Sequence, residues 1–269
     1  MPWTFAHPAA VLPLRKFCPA PLDFSALVIG SMIPDLGYYL FYSNLARSAH
    51  TFVGSVLVCL PVGLAVWGIF LLLRKPLCFV LPQPHRGALA TFVVTPLPLR
   101  PRTLIAAGIS VLLGVWTHIV WDSFTHNGTW LVKQVPLLRE SAFQVSTVEF
   151  PWYFLLQQLS TLVGAAILMA AYCSWLRLHR GSVTNPSTGA DDRWRYLLLV
   201  AIAALALVIA VPHSVRAASR FEGFLALRIF VFRIAVDTTA AFLPLLTVSS
   251  LVLYATRRKA RQRINCQLF

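Results

Sequence analysis

The sequence predicts an all-α integral membrane protein, a multi-pass transmembrane helical bundle of about five full spans plus an N-terminal helical hairpin. Three observations predict it. Of 269 residues, 58% are hydrophobic and only 12% are charged, which is too apolar for a soluble globular domain. Several runs exceed the ~18 apolar residues that mark a membrane span. Lys and Arg gather in the short segments between those runs, as cytoplasmic loops require. The formal net charge of +14 is therefore explained by loops beside a lipid bilayer, the expected partner, and no nucleic acid is implied.

Residues 1–42 open with two short apolar pieces divided by Cys18-Pro19-Ala20-Pro21. The first, about 8–17, reaches only ~15 Å as a helix, and the second, about 22–34, ~20 Å. Neither is a full span alone. A hairpin with its tip at Arg15-Lys16-Phe17 returns the chain to its starting side and brings His7 near Asp35. Pro34 supports a helix break there. The alternative makes 24–42 one ordinary span and leaves His7 on the opposite side.

Residues 43–51 form a polar connection holding His50, and 52–73 is a clear span, kinked at Pro61. A Pro-rich basic stretch, 74–103, leads to a span at about 104–121, a loop over 122–149 and a span over 150–176. Residues 177–195 read as a basic, mobile cytoplasmic linker. Spans at 196–212 and about 229–255 precede a basic tail. The whole of 1–269 is one integral membrane domain, in which 1–176 carries the candidate site and 196–256 supplies two further C-terminal spans.

Sixteen of the 23 basic residues fall in the hairpin tip, the 74–103 stretch, the 177–195 linker and the tail, against six on the opposite side. That asymmetry makes the sixteen, and the C-terminus, cytoplasmic. The five cysteines, at 18, 59, 78, 173 and 266, are odd in number and lack CxxC spacing. They give neither a disulfide framework nor a zinc finger. Arg15 and Lys16 follow the first apolar piece instead of preceding it, which argues against a cleavable signal peptide.

The chemistry concentrates in Gly114 to Gly128, GVWTHIVWDSFTHNG. On a helix, a step of four residues turns only ~40° past a full turn, so His118 and Asp122 share one face. His126 continues the stripe, with Asn127-Gly128 as a stop signal. A carboxylate at the membrane edge is costly unless it has a partner or a task, and two flanking imidazoles point to metal ligation. In a fully helical register His126 lies ~12 Å from His118, a spacing that suits two ions bridged by Asp122. Asp35, His50 and His7 complete the candidate ligand set, all on the outer side by the charge-derived topology. Arg233 and Asp237, four apart in the last span, read as a structural ion pair, with Asp237 facing the site as the alternative. Gln157, Gln158 and Ser160 either bond across helices or line the site.

The blocks TFAHPAAVLPLRK, SALVIGSMIPD, THIVWDSFTHNG and LLQQLSTLVG resemble a bacterial multi-pass membrane family described as domain of unknown function 4184. The resemblance implies a bacterial cytoplasmic (inner) membrane protein. The layout is similar to LexA-regulated membrane-bound metal-dependent hydrolases and, more distantly, to zinc-dependent phospholipase C. That pattern falls on His7, Asp35, His50, His118, Asp122 and His126. Its closing His-x-x-x-Glu helix is missing, so Asp237 or another residue would have to supply that ligand. The expected function is a membrane-embedded hydrolase of a phosphoester, such as one in a lipid or lipid-linked molecule, at the outer face. The cofactor would be a divalent metal, with Zn²⁺ the expected ion, and Arg47 or Arg139 would hold the phosphate. The rival expectation is a non-catalytic membrane protein, either a metal-binding transporter or a structural partner.

Overall fold

A computed structural model describes residues 3–40, 42–94, 100–145, 148–179 and 189–267. The protein is an all-α bundle with five helices long and apolar enough to cross a membrane: Phe52–Val80, Pro101–Gln134, Trp152–His179, Asp192–Ala218 and Gly223–Lys259. Each falls on a run expected to span. The chain divides into two compact units. One comprises Met1–Gly68 and Pro98–Ser174, the other Ile69–Leu97 and Trp175–Phe269.

The first unit opens with the expected hairpin. Its first arm, Thr4–Phe17, is a 3₁₀ helix carrying Pro8 and Pro13. It is longer than the 8–17 expected, and each proline removes one helical donor. The return arm is the short helix α1 (Phe24–Gly30), capped by Asp23, whose side chain accepts from the Ala26 N–H. Val11, Leu22 and Leu27 form the core between the arms, with Leu14, Val28 and Leu113 packed on them. The chain continues through a turn at Ile33–Asp35 into α2 (Leu36–Tyr39) and α3 (Ser43–Ala49). The single span over 24–42 is therefore not formed.

Helix α4 (Phe52–Gly54) passes through one π turn, Ser55–Cys59, into α5 (Leu60–Val80). The π turn lies just before Pro61, where the missing N–H would break regular α bonding. Helix α6 (His85–Val94) occupies part of the stretch expected to be loop, and residues 95–99 of it lie outside the described residues. Helix α7 (Pro101–Thr125) crosses α1 at close range. A Cβ built on Gly30 would strike the Val111 carbonyl, and one on Gly114 the Leu27 carbonyl. Small residues at both crossing points let the two backbones touch.

Short helices α8 (Trp130–Gln134) and α9 (Pro136–Arg139) lead to an antiparallel hairpin of β1 (Ser141–Val145) and β2 (Val148–Pro151), with Phe143 stacked on Phe150 at 4.7 Å. The sequence expectation had only loop here; the Val and Phe content is what favours strand. Helix α10 (Trp152–His179) completes the unit's fold.

In the second unit, α11 (Gly189–Ala218) and α12 (Gly223–Gln267) are longer than the spans expected at 196–212 and 229–255. Residues 180–188, the heart of the expected linker, lie outside the described residues. Arg195 explains why α11 starts early: it is buried, pairs with Asp192 at 3.1 Å and donates to the Phe79 carbonyl. Arg233 and Asp237 meet at 2.8 Å, as the structural reading expected.

Candidate metal centre

Helix α7 carries His118 and Asp122 on its buried face, and the crossing with α1 delivers the chain's next residues to them. Ser31, one residue past Gly30, places its carbonyl 2.8 Å from His118 Nδ1. That nitrogen must carry the proton, so Nε2 presents a lone pair. The same device recurs at His50, the residue that ends α3: its Nδ1 lies 2.7 Å from the Ala46 carbonyl. The two Nε2 atoms then face each other at 3.3 Å. Two lone pairs at that distance call for a cation between them, either a proton or a metal ion.

Two carboxylates close the group. Asp35 is fully buried and Asp122 almost so. Asp35 Oδ1 lies 3.5 Å from both His50 Nε2 and His118 Nε2. Asp122 Oδ2 lies 3.4 Å from His50 Nε2 and 3.3 Å from His118 Nε2. Thr4 donates to Asp35 Oδ2 at 2.5 Å, which turns Oδ1 inward, and Oδ1 has no hydrogen-bond partner of its own. A buried carboxylate oxygen without one is costly.

These distances match a metal site. Tetrahedral ligation with bonds of about 2.0–2.1 Å sets the ligand atoms about 3.3–3.4 Å apart. The five separations above run from 3.3 to 3.5 Å, and all four ligand atoms lie within 4.8 Å of one another. Each imidazole is also oriented by a backbone carbonyl and one carboxylate by a hydroxyl, the outer support that metal ligands require. Burial opposes a charge on His50, but hydrogen bonding to Asp122 and Asp35 outweighs it and holds the imidazole up at about 9. The two carboxylates thus make a place for positive charge.

The other two expected ligands flank the far oxygen of Asp122. His7 Nε2 and His126 Nδ1 each lie 3.6 Å from Asp122 Oδ1. Both Oδ1 and His7 Nε2 are buried without a hydrogen-bond partner. His7 also stacks on His118 with ring centres 3.8 Å apart. The other five sequence-predicted residues are therefore gathered around Asp122. His126 arrives differently from expectation: α7 ends at Thr125, His126 is extended (φ −122°), and its ring folds back toward Asp122. The cause is the turn that follows, where Gly128 takes φ +78°. The ~12 Å separation of a continuous helix does not apply.

Gln157, weighed as a possible lining residue, is buried and puts its amide nitrogen 3.2 Å from His126 Nε2. Arg47 and Arg139 are exposed on α3 and α9. Asp237 is engaged by Arg233 and by Ser214 at 3.4 Å. Thr4 was missed by the sequence reading. The available signal was its spacing from His7, because residues three apart eclipse on a 3₁₀ helix.

The sequence model of a family described as domain of unknown function 4184 matches residues 1–252. No curated protein and no solved structure matches the chain.

Proposed function

The chain belongs to the family described as domain of unknown function 4184, and we propose that it is a membrane-embedded, metal-dependent phosphoester hydrolase. The observation that carries this reading is the set of five near-tetrahedral separations among Asp35, His50, His118 and Asp122. Two imidazoles with two carboxylates suit Zn²⁺ among the common divalent ions. Held by Asp35, His50, His118 and Asp122, such an ion would supply Lewis-acid chemistry, lowering the pKa of water and polarising a phosphoryl oxygen.

The protein's own residues have separable tasks. His50 and His118 offer Nε2, fixed by the Ala46 and Ser31 carbonyls. Asp35 and Asp122 supply the negative charge that retains the cation. Asp122 Oδ1, with His7 and His126 beside it, is placed to accept a proton, and these three residues would be the ones to hold a second ion. Gln157 holds His126 in that position. Arg47 and Arg139 offer planar guanidinium groups for phosphate. By the charge count the centre lies at the outer face of a bacterial inner membrane, with the C-terminus cytoplasmic. A transporter would need such ionisable groups near mid-membrane. The six ligand-type residues instead gather around the C-terminal end of α7.

The test is turnover by full-length protein in detergent, loaded with Zn²⁺, on soluble and lipid phosphoesters. Asp122→Asn should lower the rate by at least ~10²-fold while the protein still unfolds cooperatively. Equal rates in both proteins, or no hydrolysis of any phosphoester by the metal-loaded native protein, would contradict the reading.

A further inference from the structure

Beside the centre, the first unit holds a cavity of about 180 Å³ between the N-terminal arm, α7 and α10. Its floor is made of Ala6, His7 and Gly164, all buried. Its rim is Ala10, Trp121, Val163 and Ile167, all exposed. The two walls follow from helical spacing. Residues 160, 163, 164 and 167 form one stripe on α10, and His7 and Ala10 eclipse on the 3₁₀ arm. Gly164 lets the walls meet: a Cβ there would lie 2.9 Å from the Ala6 carbonyl oxygen. The cavity is thus open at the flank of a membrane-crossing helix and closed at the imidazole that faces Asp122 Oδ1 at 3.6 Å.

We propose that this groove takes one hydrocarbon chain of a lipid phosphoester, the segment next to its head group, and so sets the substrate of the hydrolase reading on which it rests. Three features select that occupant. Apart from His7 and Ser160 the lining is apolar, so a polar chain would leave groups unpaired there. The rim residues Val163 and Ile167 are exposed on a helix long and apolar enough to cross a membrane, where hydrocarbon is the solvent. The cavity is small, about 180 Å³, and open along its rim, so it holds a short segment of chain whose remainder lies outside. A lipid bound this way has its phosphate carried past His7 toward Asp122, while the remaining chain stays in the bilayer.

The test uses the full-length protein and Ala10→Trp, which fills the groove from an exposed position; Ile167→Trp fills it from the opposite wall. Each is assayed on a soluble aryl phosphodiester and on a single-chain phospholipid. A single-chain phospholipid bearing a photoreactive diazirine near its head group is also crosslinked to each protein, and the adducts are mapped by mass spectrometry. Adducts are expected on the buried floor residues Ala6, His7 or Gly164, which lipid contact at the surface cannot reach, and should fall at least ~10-fold in both variants. Lipid hydrolysis should fall at least ~10-fold, with the aryl rate within about 2-fold of native. Floor adducts without any hydrolysis would sink the hydrolase reading and leave the groove standing. Absence of floor adducts, or measurable lipid hydrolysis by the native protein that is unchanged in both tryptophan variants, overturns the groove.

Discussion

His50 and His118 point Nε2 at each other across 3.3 Å while each commits Nδ1 to a backbone carbonyl, Ala46 and Ser31 respectively. Neither ring can relieve the contact by changing tautomer without losing its carbonyl hydrogen bond. The pair is therefore a fixed receptor for a cation, and Asp35 and Asp122 lie 3.3–3.5 Å from both nitrogens. The predictions below rest on that relationship and on the packing that produces it.

Thr4 orients Asp35 without touching the ligand atoms of the centre. Thr4→Val removes the donor to Asp35 Oδ2 and keeps the side-chain shape. Supporting contacts of this kind contribute 10–100-fold in metal affinity. Competitive titration against a chelator should show a loss in that range, with the thermal transition shifted only slightly. Unaltered affinity would mean that Asp35 orientation is set elsewhere.

The glycine crossing of α1 and α7 positions Ser31 against His118. Gly114→Val puts a side chain into the Leu27 carbonyl, so α1 must move and carry the Ser31 carbonyl with it. Overpacking costs about 1–3 kcal/mol or more. The variant should unfold at lower temperature and lose metal together. Gly68→Ala is the control, because nothing lies within 4 Å of a Cβ there. Removing a helical glycine should stabilise by roughly 0.5–1 kcal/mol.

Arg233 and Asp237 predict an effect on stability alone. Asp237 is buried and Arg233 half-buried; truncating one partner of a fully buried pair costs about 3–5 kcal/mol, so Asp237→Leu should be destabilising by up to that amount. Replacing both, Arg233→Met with Asp237→Leu, should recover much of that loss. Bound metal per folded chain should stay constant through the series. A fall in metal content for Asp237→Leu would make this carboxylate part of the centre after all.

The proposed topology rests on the sixteen-to-six distribution of basic residues. Reporter fusions after Glu140 and after Arg257 should report opposite sides, outside and cytoplasmic. The same side for both would remove the outer-face placement.

Much of the fold was legible in the sequence because membrane spans are long and nearly uncharged, so five of them stand out from composition alone. The His118–Asp122 pair was legible because helical spacing fixes a shared face. Asp35 was legible because an ionised group ending an apolar run needs a reason. What escaped depends on long-range contact. The carbonyls of Ser31 and Ala46 carry no side-chain signal, and Thr4 becomes an orienting donor only once the arm is 3₁₀ and folded against Asp35. The early end of α7, which swings His126 back to Asp122, is set by a turn whose geometry a one-dimensional pattern places only to within a residue or two. The starts of α11 and α12 were misplaced because Arg195 and Arg228 read as loop residues when their charges are counted alone, yet both lie within helices.

The central claim is that this cluster binds a divalent ion, and elemental analysis tests it most directly. Full-length native protein and Asp122→Asn would be purified in parallel, exposed to Zn²⁺, freed of unbound ion and measured for metal per chain. The account predicts one or two ions per native chain. It predicts less than about a tenth of that in the variant, which keeps the shape of the site and loses the charge that retains the cation. Native protein without stoichiometric metal, or a variant that holds as much as the native chain, would contradict it.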